Sequence, residues 1–159
     1  MISALFFVVA VIVTIAKMRR ASFARRVVTP AYILWGETLF YAIGFGLVLT
    51  AVLHMFAPDF AARLTGVPAT PYDATLGSLE FAVGFGGIMS LWYDYEVRFV
   101  VTVVFAVFSF EAAGAWVLQS LQHPGRLGAH PAIWWTTFVL PASLLVLAFL
   151  SRDAHERVG

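Results

Sequence analysis

Three glutamates, Glu37, Glu80 and Glu111, sit inside long apolar runs, and His54 lies near the end of the run that holds Glu37. A carboxyl group in hydrocarbon costs about 2.5–3.5 kcal/mol on insertion scales, so it is expected to face a partner, a cavity or a pathway instead of lipid. Carboxyl and imidazole groups at such positions support three kinds of chemistry. A neutral or hydrogen-bonded glutamate can tie helices together through Ser109, Thr50 or a backbone carbonyl. The same groups can line a polar pocket for a small or amphipathic ligand, with proton transfer within reach. Glu80, Glu111 and His54 can also form a metal or proton site. However, no His and Glu stand one helical turn apart, as metal ligand pairs usually do.

The apolar runs must position these groups. The first covers Ile2 to Ala16 and ends at Lys17, Arg19 and Arg20; the second runs from about Ala31 to Met55. The third spans Leu76 to Trp92, the fourth Phe99 to Leu121 and the fifth Ile133 to Leu150. Each is close to the ~20 residues that cross about 30 Å of hydrocarbon. None alternates polar and apolar as a barrel strand would, so helices are expected. With 61% hydrophobic and 12% charged residues in 159, a water-soluble fold would have too little polar surface to cover it.

Basic residues set the expected orientation. Lys17, Arg19, Arg20, Arg25, Arg26, Arg98, Arg152 and Arg157 fall on one side of a five-span topology, and Arg63 and Arg126 on the other. The richer side is expected to be cytoplasmic, which puts the N-terminus outside and the C-terminus inside. The first run has its positive charge after the apolar core, unlike a cleavable signal, and reads as a retained anchor. Trp35, Trp92, Tyr93, Tyr95, Trp134 and Trp135 lie near span ends, where an aromatic belt belongs. The stretch from His54 to Leu64 reads as a short interfacial helix with Asp59 as its cap and Phe56, Phe60 and Leu64 along one face. It is expected to be a connector on the membrane surface and not a lid.

Helical spacing then groups the site residues. Glu80 shares a face with Gly77, Gly84 and Gly87, and Glu111 shares one with Phe108, Gly114 and Ala115. Faces of small residues are packing faces, so both carboxyls are expected to point into the bundle. Glu80 lies about 10 Å along its helix from Asp73, and Glu111 about 20 Å along its helix from Arg98, which allows one shared layer. His54 is the nearest partner for that layer, with His123 and His130 further off. Glu37 stands apart, as a second polar site that pairs or caps near the basic inner loop. Ala42-Ile43-Gly44-Phe45-Gly46 nearly repeats as Ala82-Val83-Gly84-Phe85-Gly86, so Gly44, Gly46, Gly84, Gly86, Gly87 and Gly114 are expected to let helices approach closely.

Other chemistries are absent from the sequence. With no cysteine there is no disulfide, thiolate or Cys-ligated metal. There is no Gly-x-Ser-x-Gly, no phosphate-cradling loop and no His pair at helical spacing. No basic, aromatic-interleaved surface points to nucleic acid. No cofactor is expected and no metal ligand set is assigned.

The stretch Leu64-Thr65-Gly66-Val67-Pro68, followed by Leu79-Glu80-Phe81-Ala82-Val83-Gly84-Phe85-Gly86-Gly87 and Arg98, resembles the DoxX-like family of small bacterial inner-membrane proteins with a four-helix core. Phe56-Ala57-Pro58-Asp59 also resembles the outer loop of a neighbouring group of small membrane proteins. The likeness covers the second to fourth runs. It implies recurrent roles for Glu80 and Arg98, and an accessory part in quinone-linked or redox-protective membrane complexes. The chain departs from that pattern in its first run and in Glu111.

The expected protein is therefore an all-α, polytopic membrane protein with five transmembrane helices. Residues 1–29 form an anchor helix and basic loop, 30–151 a four-helix core and 152–159 a cytoplasmic tail. Its expected location is the bacterial inner membrane, with the lipid bilayer and a complex partner or a second copy as its contacts. The leading functional expectation is a non-enzymatic accessory or assembly subunit. The alternative is a small membrane enzyme or a binder of an amphipathic ligand built on Glu80 and Glu111, and a proton-coupled carrier comes third.

Overall fold

A computed structural model describes residues 2–24, 29–65, 69–122 and 134–156. His123, His130, Arg25, Arg26, Arg126 and Arg157, which enter the sequence reading, lie outside the described residues. The described chain is helical, without strands, and five of its helices are long and apolar enough to cross a membrane. Helix α1 is Ile2–Ala24 and α2 is Pro30–Phe56. The short α3 is Pro58–Thr65, α4 is Asp73–Met89 and α5 is Tyr95–Gln122. Helix α6 joins a wide turn at Trp135–Val139 to Leu140–Glu156.

Local chemistry sets the helix ends. At the start of α2, Thr29 Oγ1 accepts from the Tyr32 amide and Pro30 takes the first turn, where its missing N–H costs nothing. Ala57, at φ −144° and ψ 56°, breaks the chain between α2 and α3. Asp73 Oδ1 accepts from the backbone N–H and the hydroxyl of Thr70 in the turn that leads into α4. Helix α1 runs past the expected end at Ala16 because Lys17, Arg19 and Arg20 are good helix formers and continue the coil.

Helix α2 is the centre of the bundle, packed by α1, α4 and α6. Its contact with α4 is backbone against backbone. A Cβ at Gly87 would stand 2.8 Å from the Leu39 carbonyl oxygen, and one at Gly84 3.0 Å from the Gly44 carbonyl oxygen. A Cβ at Gly77 would stand 2.9 Å from the Ala51 carbonyl oxygen. The glycine face of α4 thus lies directly on α2, and Glu80 sits in the middle of that face. Gly46 and Gly86 are under less constraint, with the nearest foreign atoms at 3.5 and 3.6 Å.

Trp35, Leu39, Ile43, Phe105, Leu140 and Leu144 form the buried core between α2, α5 and α6. Trp35, expected in an interfacial belt, is fully buried and donates its indole N–H to Thr102 Oγ1 at 2.9 Å. A satisfied indole N–H lets the ring serve as a core anchor. Trp92, Tyr93 and Trp134 are exposed. Arg98 is buried with no carboxylate partner among the described residues: Nε donates to the Ser90 carbonyl at 3.0 Å, Nη2 donates to that of Leu91 at 3.3 Å, and the guanidinium lies 4.7 Å from the Tyr32 ring centroid. It therefore caps the carbonyls of the tight turn Ser90–Trp92 that follows α4, at the negative end of the helix dipole.

Helix α1 packs against α2. Ala10 is fully buried, and Lys17 Nζ lies 2.5 Å from Glu37 Oε1. Lipid-facing and helix-facing residues are equally apolar, so sequence alone did not distinguish an anchor from a packed helix.

Candidate functional site

Two polar side chains meet where α2 and α4 are held together by glycine. His54, on the last turn of α2, places Nδ1 2.7 Å from Glu80 Oε2. Both side chains are nearly buried, at 12% and 10% exposure. The close approach explains the pairing: a Cβ at Gly77, one turn before Glu80, would stand 2.9 Å from the Ala51 carbonyl oxygen and 3.3 Å from His54 Cβ. A larger residue there would push the helices apart and lengthen the contact.

The pair lies on the wall of a cavity of about 250 Å³ at the end of the bundle that carries the N-terminus. Ile2, Leu47, Leu64, Leu76, Phe105 and Phe108 give this cavity an apolar lining. Ser3, Thr50, Ser109, Thr136 and Thr137 add hydroxyl groups. Every membrane-length helix contributes, as does α3 through Leu64, so the short helix expected to be a surface connector also forms part of the cavity wall. The two threonines of α6 belong to a π-helical turn, in which the Leu140 amide bonds back five residues to the Trp135 carbonyl. A second such turn, Leu39–Phe45, interrupts α2. Wide turns of this kind re-aim side chains and recur at functional sites.

Chemically, the pair is a carboxylate-oriented imidazole. With Glu80 ionised, Nδ1–H donates to it and the ring is held in one orientation, leaving Nε2 as an acceptor. With the imidazole protonated, the ring carries a second donor. Among the described residues neither Nε2 nor Glu80 Oε1 has a partner, and neither is a sealed, unsatisfied atom. Thr50 is held by its own helix, donating to the Gly46 carbonyl at 2.6 Å.

Glu111 does not join this layer. It is exposed, does not line the cavity, and has no hydrogen bond or ion pair among the described residues. Gly114, expected beside it on a packing face, would meet none of the described residues within 4 Å if given a Cβ. Helix α5 turns Phe105, Ser109 and Ala113 inward, and Glu111 lies about 200° round the helix from Ser109. Among the described residues no three His, Asp or Glu side chains converge. Glu37 is also distant from the cavity, paired with Lys17 across α1 and α2.

Leu64, Thr136 and Thr137 were not among the residues that sequence reasoning assigned to the site. The apolar α3 face was legible, but the wide turn that presents the threonines has no sequence signature of its own.

No curated protein and no solved structure matches the chain. One family model matches residues 1–157, essentially the whole length, and the chain belongs to that family, the family of unknown function DUF6790.

Proposed function

We propose that the chain is a multi-pass inner-membrane protein that binds a small amphipathic ligand within its helix bundle, with His54 and Glu80 as the polar anchor. The observation that carries this reading is the 2.7 Å His54–Glu80 contact on the wall of a largely apolar cavity of about 250 Å³. Ligand sites are concave, mostly apolar and furnished with a few convergent polar groups. The size suits a compact molecule with an apolar body and one protic or cationic group. An alcohol or phenol would donate to Nε2, and an amine would seek the carboxylate. The cavity favours ligand binding over the accessory-subunit role that the DoxX-like resemblance implies.

Charge supports an outward-facing cavity. Lys17, Arg19, Arg20, Arg98 and Arg152 lie toward the opposite end of the bundle, which the positive-inside tendency assigns to the cytoplasm. The ligand would then enter from the outer side or the outer leaflet.

Native mass spectrometry of the full chain, purified from membranes in mild detergent, tests the reading. Wild type is expected to carry a small-molecule adduct. Ala112→Phe, which fills the cavity, and His54→Leu, which removes the anchor, are expected to lose it while remaining folded. Equal adducts on wild type and Ala112→Phe would sink the proposal.

A further inference from the structure

Helix α5 has 28 residues, about 42 Å of helix, so it exceeds the hydrocarbon thickness. Glu111 lies thirteen residues beyond Arg98, about 20 Å along the axis, and therefore within the span. Its carboxyl group is exposed and has no partner among the described residues. Lipid satisfies the apolar neighbours on this face but offers a carboxyl group neither donor nor acceptor.

The surroundings of Glu111 have a definite spacing. Val100, Val104, Val107, Glu111, Gly114 and Leu118 are all exposed and follow one another at alternating steps of four and three. On the broad exposed face of α5 this row, the seam that contains Glu111, has heptad spacing, with Glu111 at an a position and Gly114 at the following d position. A single polar residue at an a position is a device that fixes register between two helices. At Gly114 a Cβ would meet no atom of the described residues within 4 Å, so among them the helix surface is open at the level where a second backbone would approach.

The same seam on a second copy is complementary to this one. Copies inserted with one orientation bring their α5 helices together in parallel about a two-fold axis normal to the membrane, so each seam residue meets its own counterpart. Glu111 then meets Glu111, and a protonated carboxyl group is both donor and acceptor. We propose that α5 is the contact between two copies of this chain, a parallel helix pair running from Val100 to Leu118 and registered by a Glu111–Glu111 hydrogen bond. The pairing does not depend on ligand binding at His54 and Glu80, which lie on other helices.

The chain has no cysteine, so single cysteines report proximity without background. Val107→Cys and Leu118→Cys lie on the seam, whereas Phe149→Cys lies on an exposed position of α6. Each full-length variant is reconstituted in phosphatidylcholine vesicles at high lipid-to-protein ratio and mildly oxidised. The seam variants are expected to give at least about tenfold more disulfide-linked dimer than the α6 control, as a stable parallel pair requires. Adding Glu111→Leu to Val107→Cys is expected to lower the dimer fraction about three- to tenfold, while Glu111→Gln, still donor and acceptor, keeps it. Equal cross-linking at all three positions overturns the proposal. So does a seam cross-link in native membranes to a protein of different mass. Unchanged cross-linking in the Glu111→Leu variant removes Glu111 from the contact, and if that variant fails to accumulate, the seam cysteines with Glu111 intact still decide between pairing and its absence.

Discussion

His54 Nδ1 and Glu80 Oε2 stand 2.7 Å apart across the close contact of α2 and α4, where Gly77, Gly84 and Gly87 lie against the backbone of α2. Neither side chain has another partner among the described residues, so each is the other's compensation for burial. Removing one leaves a nearly buried polar group unpaired, which costs about 1–3 kcal/mol. His54→Leu and Glu80→Leu should each lower stability by about that amount. The double replacement should cost clearly less than the sum, because the unpaired group disappears with its partner. Glu80→Gln keeps a hydrogen bond and should stay close to wild type. Thermal unfolding in one detergent, run as a double-mutant cycle, measures all four.

The glycines make unequal predictions. Gly87→Ala places a Cβ 2.8 Å from the Leu39 carbonyl and 2.9 Å from the Gly44 amide nitrogen, both rigid backbone atoms. It should destabilise by about 1–3 kcal/mol, as overpacking does. Gly86→Ala, one residue earlier, meets only Val101 methyls at 3.6 Å or more. It should be neutral or stabilising by up to about 1 kcal/mol, through better helix propensity. Melting temperatures of the two variants should move in opposite directions, or only the first should move.

Arg98 acts as a cap, not as an ion-pair partner. Arg98→Ala removes two charge-assisted bonds to the carbonyls of Ser90 and Leu91 and the contact with Tyr32. A loss of about 2–3 kcal/mol is expected. Arg98→Lys keeps the charge but cannot span both carbonyls while covering the ring, so it should recover only part of the loss. Hydrogen exchange should locate the change at the end of α4.

Glu37 separates fold from site. Its partner Lys17 is half exposed, so Glu37→Gln should alter stability by no more than about 1 kcal/mol. It should leave ligand occupancy unchanged, because the pair lies away from the cavity. An adduct lost in Glu37→Gln as readily as in His54→Leu would show that occupancy follows general stability and not the anchor.

The five helices, their apolar character and the glycine face around Glu80 were all legible in the sequence. Run length and hydropathy mark helices long and apolar enough to cross a membrane, and small residues at spacings of three and four mark a close approach. His54 could be named as the nearest partner of Glu80 because both sit near span ends on the same side. The orientation of α5 was not legible. In a membrane both the lipid-facing and the protein-facing sides of a helix are apolar, so Glu111 beside Gly114 looked like part of the interior. Tertiary packing turned Ser109 inward and left Glu111 outside.

By itself, the sequence determined that five helices are long and apolar enough to cross a membrane and that Glu80 lies where α4 meets another helix. Only the tertiary structure decided which carboxyl pairs, that Leu64, Thr136 and Thr137 close a cavity around it, and that Trp35 is core and not belt. The reason is physical. Backbone hydrogen bonding and hydrophobicity act locally along the chain, whereas rotational phase, crossing contacts and wide helical turns arise only when the helices pack together.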